Sequence, residues 1–238
     1  MKKLLKKLLP ENFKQGLKDQ LGVPSLSALL KQLKARGYIP SVVYDIGAYE
    51  GYWALDFLKI FVGVPIYMFE AQQTKEPFLK AVCDKRPNLN YLIALLGATP
   101  GVEVHFEENE TASHVNAQLH WEKGNRITES LDLLLEKNNF PLPDFLKLDV
   151  QGYELEILKG GQKALANAQF CLLEISLLDV EAGGVPLLKD VINFMDDCKY
   201  CAYDISQFIR RPYDKALWQI DMLFVKKDSP FIADKRWA

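Results

Sequence analysis

The chain has 238 residues, 49% hydrophobic and 25% charged, a balance that supports a buried core and excludes a disordered polymer. A formal charge of −2 excludes a protein built to coat nucleic acid, which needs a net basic surface. Residues 1–18 nevertheless hold six lysines against one acid, Glu11, which puts +5 at one end and −7 on the remainder.

In that basic segment Leu4, Leu5, Leu8 and Leu9 share a helical face with lysines opposite. After Pro10, Phe13, Leu17 and Leu21 resume at i+4 spacing, so two short amphipathic helices are expected. Lys6 and Lys7 interrupt the apolar run, so it does not read as a secretory signal. No stretch approaches the ~18 apolar residues of a membrane span. A third helix is expected from Leu26 to Arg36, closing at Gly37.

From Ser41 onward strands and helices alternate. Expected strands are Val42–Ile46, Ile66–Phe69, Tyr91–Leu96, Val102–Phe106, Phe145–Val150, Phe170–Ser176, Cys201–Ile205 and Met222–Val225. Between them fall helices from Gly51 to Ile60, from a Thr74 cap to Lys85, from Thr128 to Asn138, Tyr153–Lys159 and Val185–Cys198, with an irregular segment over Glu107–Arg126. This order predicts an α/β fold: a mostly parallel sheet with helices on both faces and an antiparallel C-terminal edge pair. The expected organisation is a helical extension over 1–37 and one domain over 38–238. Cys198 and Cys201 form a C-x-x-C without a second pair to complete a metal site, and four cysteines do not make a disulfide framework, so a cytoplasmic location is expected.

In an α/β sheet the ligand lies beyond the carboxyl ends of the strands, so those ends hold the candidate site. The first strand ends Asp45-Ile46-Gly47-Ala48-Tyr49-Glu50-Gly51, unlike the G-x-G-x-x-G of dinucleotide binders. Gly47 allows close approach to a ligand and Asp45 suits a cationic one, although a tight turn without ligand also selects glycine. Glu70 ends the second strand, where a carboxylate accepts hydrogen bonds from ribose hydroxyls. Asp149, Gln151 and Glu154 surround a glycine turn after the fourth helix-linked strand, and Glu174 adds a further acid. Such acids orient a hydroxyl, bind a divalent cation or act as a base; the metal question stays open at this level. His105, His114 and His120 lie in or beside the irregular segment, and His114 is the candidate base among them.

VVYDIGAYEG, FEAQQ, the block ITESLDLLLEKNNFPLPDFLKLDVQGYELEILKGG, LLEIS and WQIDMLFVKK together resemble the FkbM family of S-adenosylmethionine-dependent methyltransferases over residues 38–226. The resemblance implies a Rossmann-like fold in which Asp45, Gly47, Ala48 and Gly51 hold the amino acid part of S-adenosylmethionine. It further implies Glu70 on the ribose and Ala71 and Gln72 beside the adenine, and O-methylation of a sugar, glycan or secondary metabolite. Asp149 is expected beside both the cofactor and the chemistry, with Glu154 and Glu174 in support. Gln151 departs from the glutamate common in the family, and an amide cannot take up a proton. A nicotinamide-dependent oxidoreductase and an inactive cofactor-binding module are the rival readings. The basic residues 1–20 suit peripheral membrane contact or packing in a homo-oligomer.

Overall fold

The computed structural model describes residues 22–110, 113–116, 124–180 and 184–237. The two basic amphipathic helices expected before Gly22, with their membrane or oligomer role, lie outside the described residues. The first described helix, α1 (Leu26–Ala35), is capped by Ser25, whose Oγ accepts from the Ala28 amide at 3.1 Å. It closes at Gly37, with φ 90°.

The remaining elements follow in the expected order. They are β1 (Val43–Ile46), α2 (Tyr52–Leu58), β2 (Ile66–Glu70), α3 (Glu76–Cys83), β3 (Leu89–Ile93) and four two-residue strands. Those four are β4 (Glu103–Val104), β5 (Phe106–Glu107), β6 (His114–Val115) and β7 (Arg126–Ile127). Then come α4 (Leu131–Asn138), β8 (Phe145–Leu148), α5 (Glu154–Lys159), α6 (Gln162–Asn167), β9 (Phe170–Ser176), α7 (Leu188–Asp197), β10 (Tyr200–Arg210) and β11 (Leu217–Lys226).

Seven strands form one sheet in the order β10-β11-β9-β8-β1-β2-β3. The pairs β8–β9, β8–β1, β1–β2 and β2–β3 are parallel, and β11 runs antiparallel between β9 and β10. The final strand therefore inserts inside the sheet and leaves β10 at the edge. Both strands of this hairpin are longer than their apolar runs suggested, because mutual pairing carries them through polar residues.

Several expected boundaries move for visible reasons. Thr128 does not open a helix: its amide bonds the Val102 carbonyl and its hydroxyl the Thr99 carbonyl at 2.7 Å, so α4 starts after Ser130. Thr74 lies within a 3-10 turn, Gln73–Lys75, rather than capping α3. The third strand ends at Ile93, and Leu96 makes only an isolated bridge to Glu129.

Period-two alternation divides the core between the two sheet faces. Tyr44, Ile46, Leu146 and Leu148 are buried in one cluster, and Val43, Phe145, Phe170 and Leu172 in the other. Leu29, Leu30 and Leu33 of α1 are buried in the second cluster, where Tyr38 meets Phe170 edge-on at 4.8 Å between centroids. Deleting buried leucines costs about 2–5 kcal/mol each. A chain starting at Tyr38 should therefore lose substantial thermal stability relative to one starting at Gly22, measured by denaturation; equal midpoints would show that α1 contributes nothing.

Candidate active site

Beyond the carboxyl ends of the parallel strands lies a cavity of about 380 Å³. Its wall takes Gly47 and Tyr49 from the turn after β1, Glu70 from β2, Asp149 and Gln151 from the turn after β8, and Glu174 from β9. Trp218 and Gln219 of β11 complete one end, and Ala71 and Gln72 the other. Four wall residues are acids, Glu70, Glu110, Asp149 and Glu174, and none of the described wall residues is Lys, Arg or His.

Beneath the floor lies Lys147. Parallel register pairs it with Asp45 across β8 and β1, and alternation turns both side chains to the same buried face. The Lys147 ammonium is 2.9 Å from Asp45 Oδ1 and 3.6 Å from Asp149 Oδ2, and it donates to the Gly47 carbonyl at 2.9 Å. Burial opposes its charge, but Asp45 and Asp149 together keep its pKa above the ordinary lysine value. Burial likewise pushes the Asp45 carboxyl up, against the pull of Lys147. One cation thus joins the turns after β1 and β8. Gly47 completes the join: with φ 75°, a Cβ there would sit 1.9 Å from the Asp149 carbonyl oxygen.

Glu70 fastens the next turn. Its Oε2 accepts from the Tyr49 amide at 2.7 Å and its Oε1 from the Gln72 amide at 2.9 Å. Each oxygen keeps a second lone pair for a ligand hydroxyl. Over this end folds the segment around Glu110, whose carboxylate meets Lys75 at 2.6 Å and the Tyr49 hydroxyl at 2.5 Å, while its carbonyl accepts from Gln72 at 3.0 Å.

The turn after β8 is built around Glu154, which accepts from the Val150 amide at 3.0 Å and the Gly152 amide at 3.2 Å. Those bonds hold Gln151 in the left-handed region, φ 55°, a strained state for a residue with a side chain. Its amide then donates to Glu174 at 2.7 Å and to Asp149 at 3.2 Å. Burial, with Asp149, Glu154 and Asp221 nearby, pushes Glu174 up to about 10. Burial pushes Glu154 to about 7 and Asp221, which pairs with Glu174 where β11 runs beside β9, to about 6.

Five expected site residues are not on the cavity wall. Asp45 is not an open anion awaiting a cationic ligand, because Lys147 occupies it. Ala48 is buried in the core, and Gly51, φ 80°, backs onto Met68 and Leu79. Glu154 is consumed by backbone amides. His114 of β6 pairs with Glu107 of β5, whereas its neighbours Ser113 and Val115 line the cavity, as alternation requires. His120 lies outside the described residues. Among the described residues no group of three His, Cys, Asp or Glu side chains has the arrangement of a metal site. Reading the sequence missed Lys147 and Trp218. A lysine inside an apolar strand, FLKL, was the available signal for the first.

A family model described as the methyltransferase FkbM domain matches residues 45–202. The chain belongs to this family. Its similarity to the hexuronic acid methyltransferase AglP of Haloferax volcanii is 35% identity over 98 residues, 41% of this chain, and the match spans only 38% of that protein's length. A solved structure of a candidate sarcosine dimethylglycine methyltransferase from Galdieria sulphuraria aligns with TM-score 0.52, covering 85% of each chain at 12% identity. That likeness is one of fold, Rossmann-like. S-adenosylmethionine is the cofactor of this FkbM domain, and the donor set fits it: carboxylates for a sulfonium and a ribose, apolar Phe69 and Leu96 beside them, and no described wall cation for a pyrophosphate.

Two outcomes follow from the electrostatics. Lys147→Met leaves Asp45 buried without its cation, and breaking a buried pair from one side costs about 3–5 kcal/mol, so chemical denaturation should show a loss of that size. An unchanged midpoint would remove Lys147 from the centre of the account. Glu154 and Glu174 titrate in the folded chain above their ordinary value of 4.5, so their protonated forms favour the fold. That contribution is complete below the unfolded value and is lost as pH rises, through about 7 for Glu154 and about 10 for Glu174. Wild type should therefore lose thermal stability relative to Glu174→Gln between about pH 5 and about pH 9, and a pH-independent difference would contradict the assignment.

Proposed function

We propose that the chain is an S-adenosylmethionine-dependent O-methyltransferase acting on a hydroxyl of a sugar, glycan or secondary metabolite. The observation that carries this reading is the acid-lined cavity, with Glu70 at one end and Asp149 at its middle. The relative AglP, named for a hexuronic acid, supports a sugar acceptor.

When bound, S-adenosylmethionine supplies an electrophilic methyl carbon whose displacement leaves a neutral thioether. The protein's part is alignment and proton management. Glu70 and the Tyr49–Gln72 backbone hold the nucleoside, with Ala71 and Gln72 flanking its base. Gly47 permits the approach of the amino acid part; Asp45, Ala48 and Gly51 act from beneath by shaping that turn. Asp149 takes the proton of the acceptor hydroxyl and returns it to solvent. Glu174, held protonated by burial, cannot be that base at neutral pH; through Gln151 it fixes Asp149.

A nicotinamide-dependent oxidoreductase is disfavoured, since a pyrophosphate would face carboxylates with no described wall cation. No helix among the described residues is long and apolar enough to cross a membrane. The four cysteines are free, which accords with the cytoplasm as the proposed location.

Asp149→Asn keeps shape and removes the base. Turnover with the natural acceptor should fall by about 10²-fold or more, while calorimetric affinity for S-adenosylmethionine stays within a few-fold. Unchanged turnover would eliminate Asp149 as the base, and cofactor binding by wild type without turnover on any acceptor would favour the inactive module.

A further inference from the structure

The cavity has two ends set by strand order. Glu70 ends β2 and Trp218 lies on β11, four strand spacings apart in the sheet, about 19 Å. The nucleoside assigned to Glu70 leaves the β9–β11 end for something else.

That end has an unusual local construction. Gln219 pairs with Ile209 across the hairpin, and the next pair is Leu217 with Arg210, so Trp218 is an extra residue in a β-bulge. Regular alternation would send Trp218 and Gln219 to opposite faces, whereas the bulge turns both to the cavity. Gln219 is 6% exposed, yet its amide makes no hydrogen bond among the described residues, nor does the Trp218 indole N–H. Both groups line the cavity, where a ligand can pair with them. Beside them stand Gln151 and Glu174, already in hydrogen bond to one another.

The chemistry of this set is specific. A flat indole suits the apolar face of a ring, and amides both donate to and accept from hydroxyls. Among the described wall residues an anionic acceptor finds no counterion. The nearby hairpin cations are engaged, Arg211 by Asp214 at 2.6 Å and Arg210 by the Lys215 carbonyl at 3.0 Å, and Lys147 is enclosed beneath Asp149. We propose that the bulge at Trp218 builds the acceptor subsite, and that the subsite takes an uncharged, polyhydroxylated sugar ring rather than a uronate. This rests on the methyltransferase reading above and narrows it away from the substrate class for which AglP is named.

The test uses the full chain with S-adenosylmethionine and pairs of methyl glycosides that differ only at C6, hexopyranoside against hexopyranosiduronate, reading S-adenosylhomocysteine release. The neutral member of at least one pair should be turned over at least about tenfold faster. Trp218→Ala and Gln219→Leu should each raise the acceptor KM about tenfold, with calorimetric cofactor affinity within twofold of wild type, and Trp218→Phe should restore most of the loss. Equal or faster turnover of the uronates overturns the proposal and leaves the methyltransferase reading standing. So does turnover of no glycoside at all while the cofactor binds normally. Failure of wild type to bind the cofactor overturns the methyltransferase reading, and this proposal with it.

Discussion

A single buried ammonium organises this molecule. Lys147 lies where β8 and β1 end side by side, and its contacts reach Asp45, Asp149 and the Gly47 carbonyl. A lysine there costs several kcal/mol in desolvation, which only close carboxylates and carbonyls repay. The geometry they impose is the geometry of the site. Gly47 is drawn against the Asp149 backbone so tightly that no side chain fits, and the two turns on the cavity wall become one rigid unit. The ion pair is thus a poor argument for stability in itself and a good one for specified shape.

From that unit the acids acquire distinct states. Asp149 lies 3.6 Å from the cation with its side chain 44% exposed to the cavity side. Glu174 is enclosed among like charges and holds its proton. Gln151 links them with a neutral amide in a strained backbone that Glu154 enforces. A carboxylate at position 151 would add another negative charge to this cluster, where the amide instead donates to both neighbours. The departure from the family's common glutamate therefore has a physical sense here.

Much of this was legible in the sequence, and the rest was not, for identifiable reasons. The Phe170–Ser176 strand and the α/β order were readable because apolar runs buried on both faces are unambiguous. Glu70 and Asp149 were readable as strand-end acids. Asp45 was misread because its neutralising partner lies 102 positions along the chain, and only the register of β1 on β8 brings them together. Trp218 was hidden for the same kind of reason: a bulge is a property of pairing, absent from either strand alone. His114 drew attention as a titratable side chain, but the side a residue faces in a two-residue strand depends on where pairing begins.

The most direct measurement is a crystal structure of the full chain grown with S-adenosylhomocysteine. The account predicts ribose hydroxyls within hydrogen-bond distance of Glu70, the base beside Ala71 and Gln72, and the sulfur directed toward Asp149, with the Lys147–Asp45 pair unchanged beneath. Ribose bound away from Glu70, or a ligand that displaces Lys147 from Asp45, would contradict it.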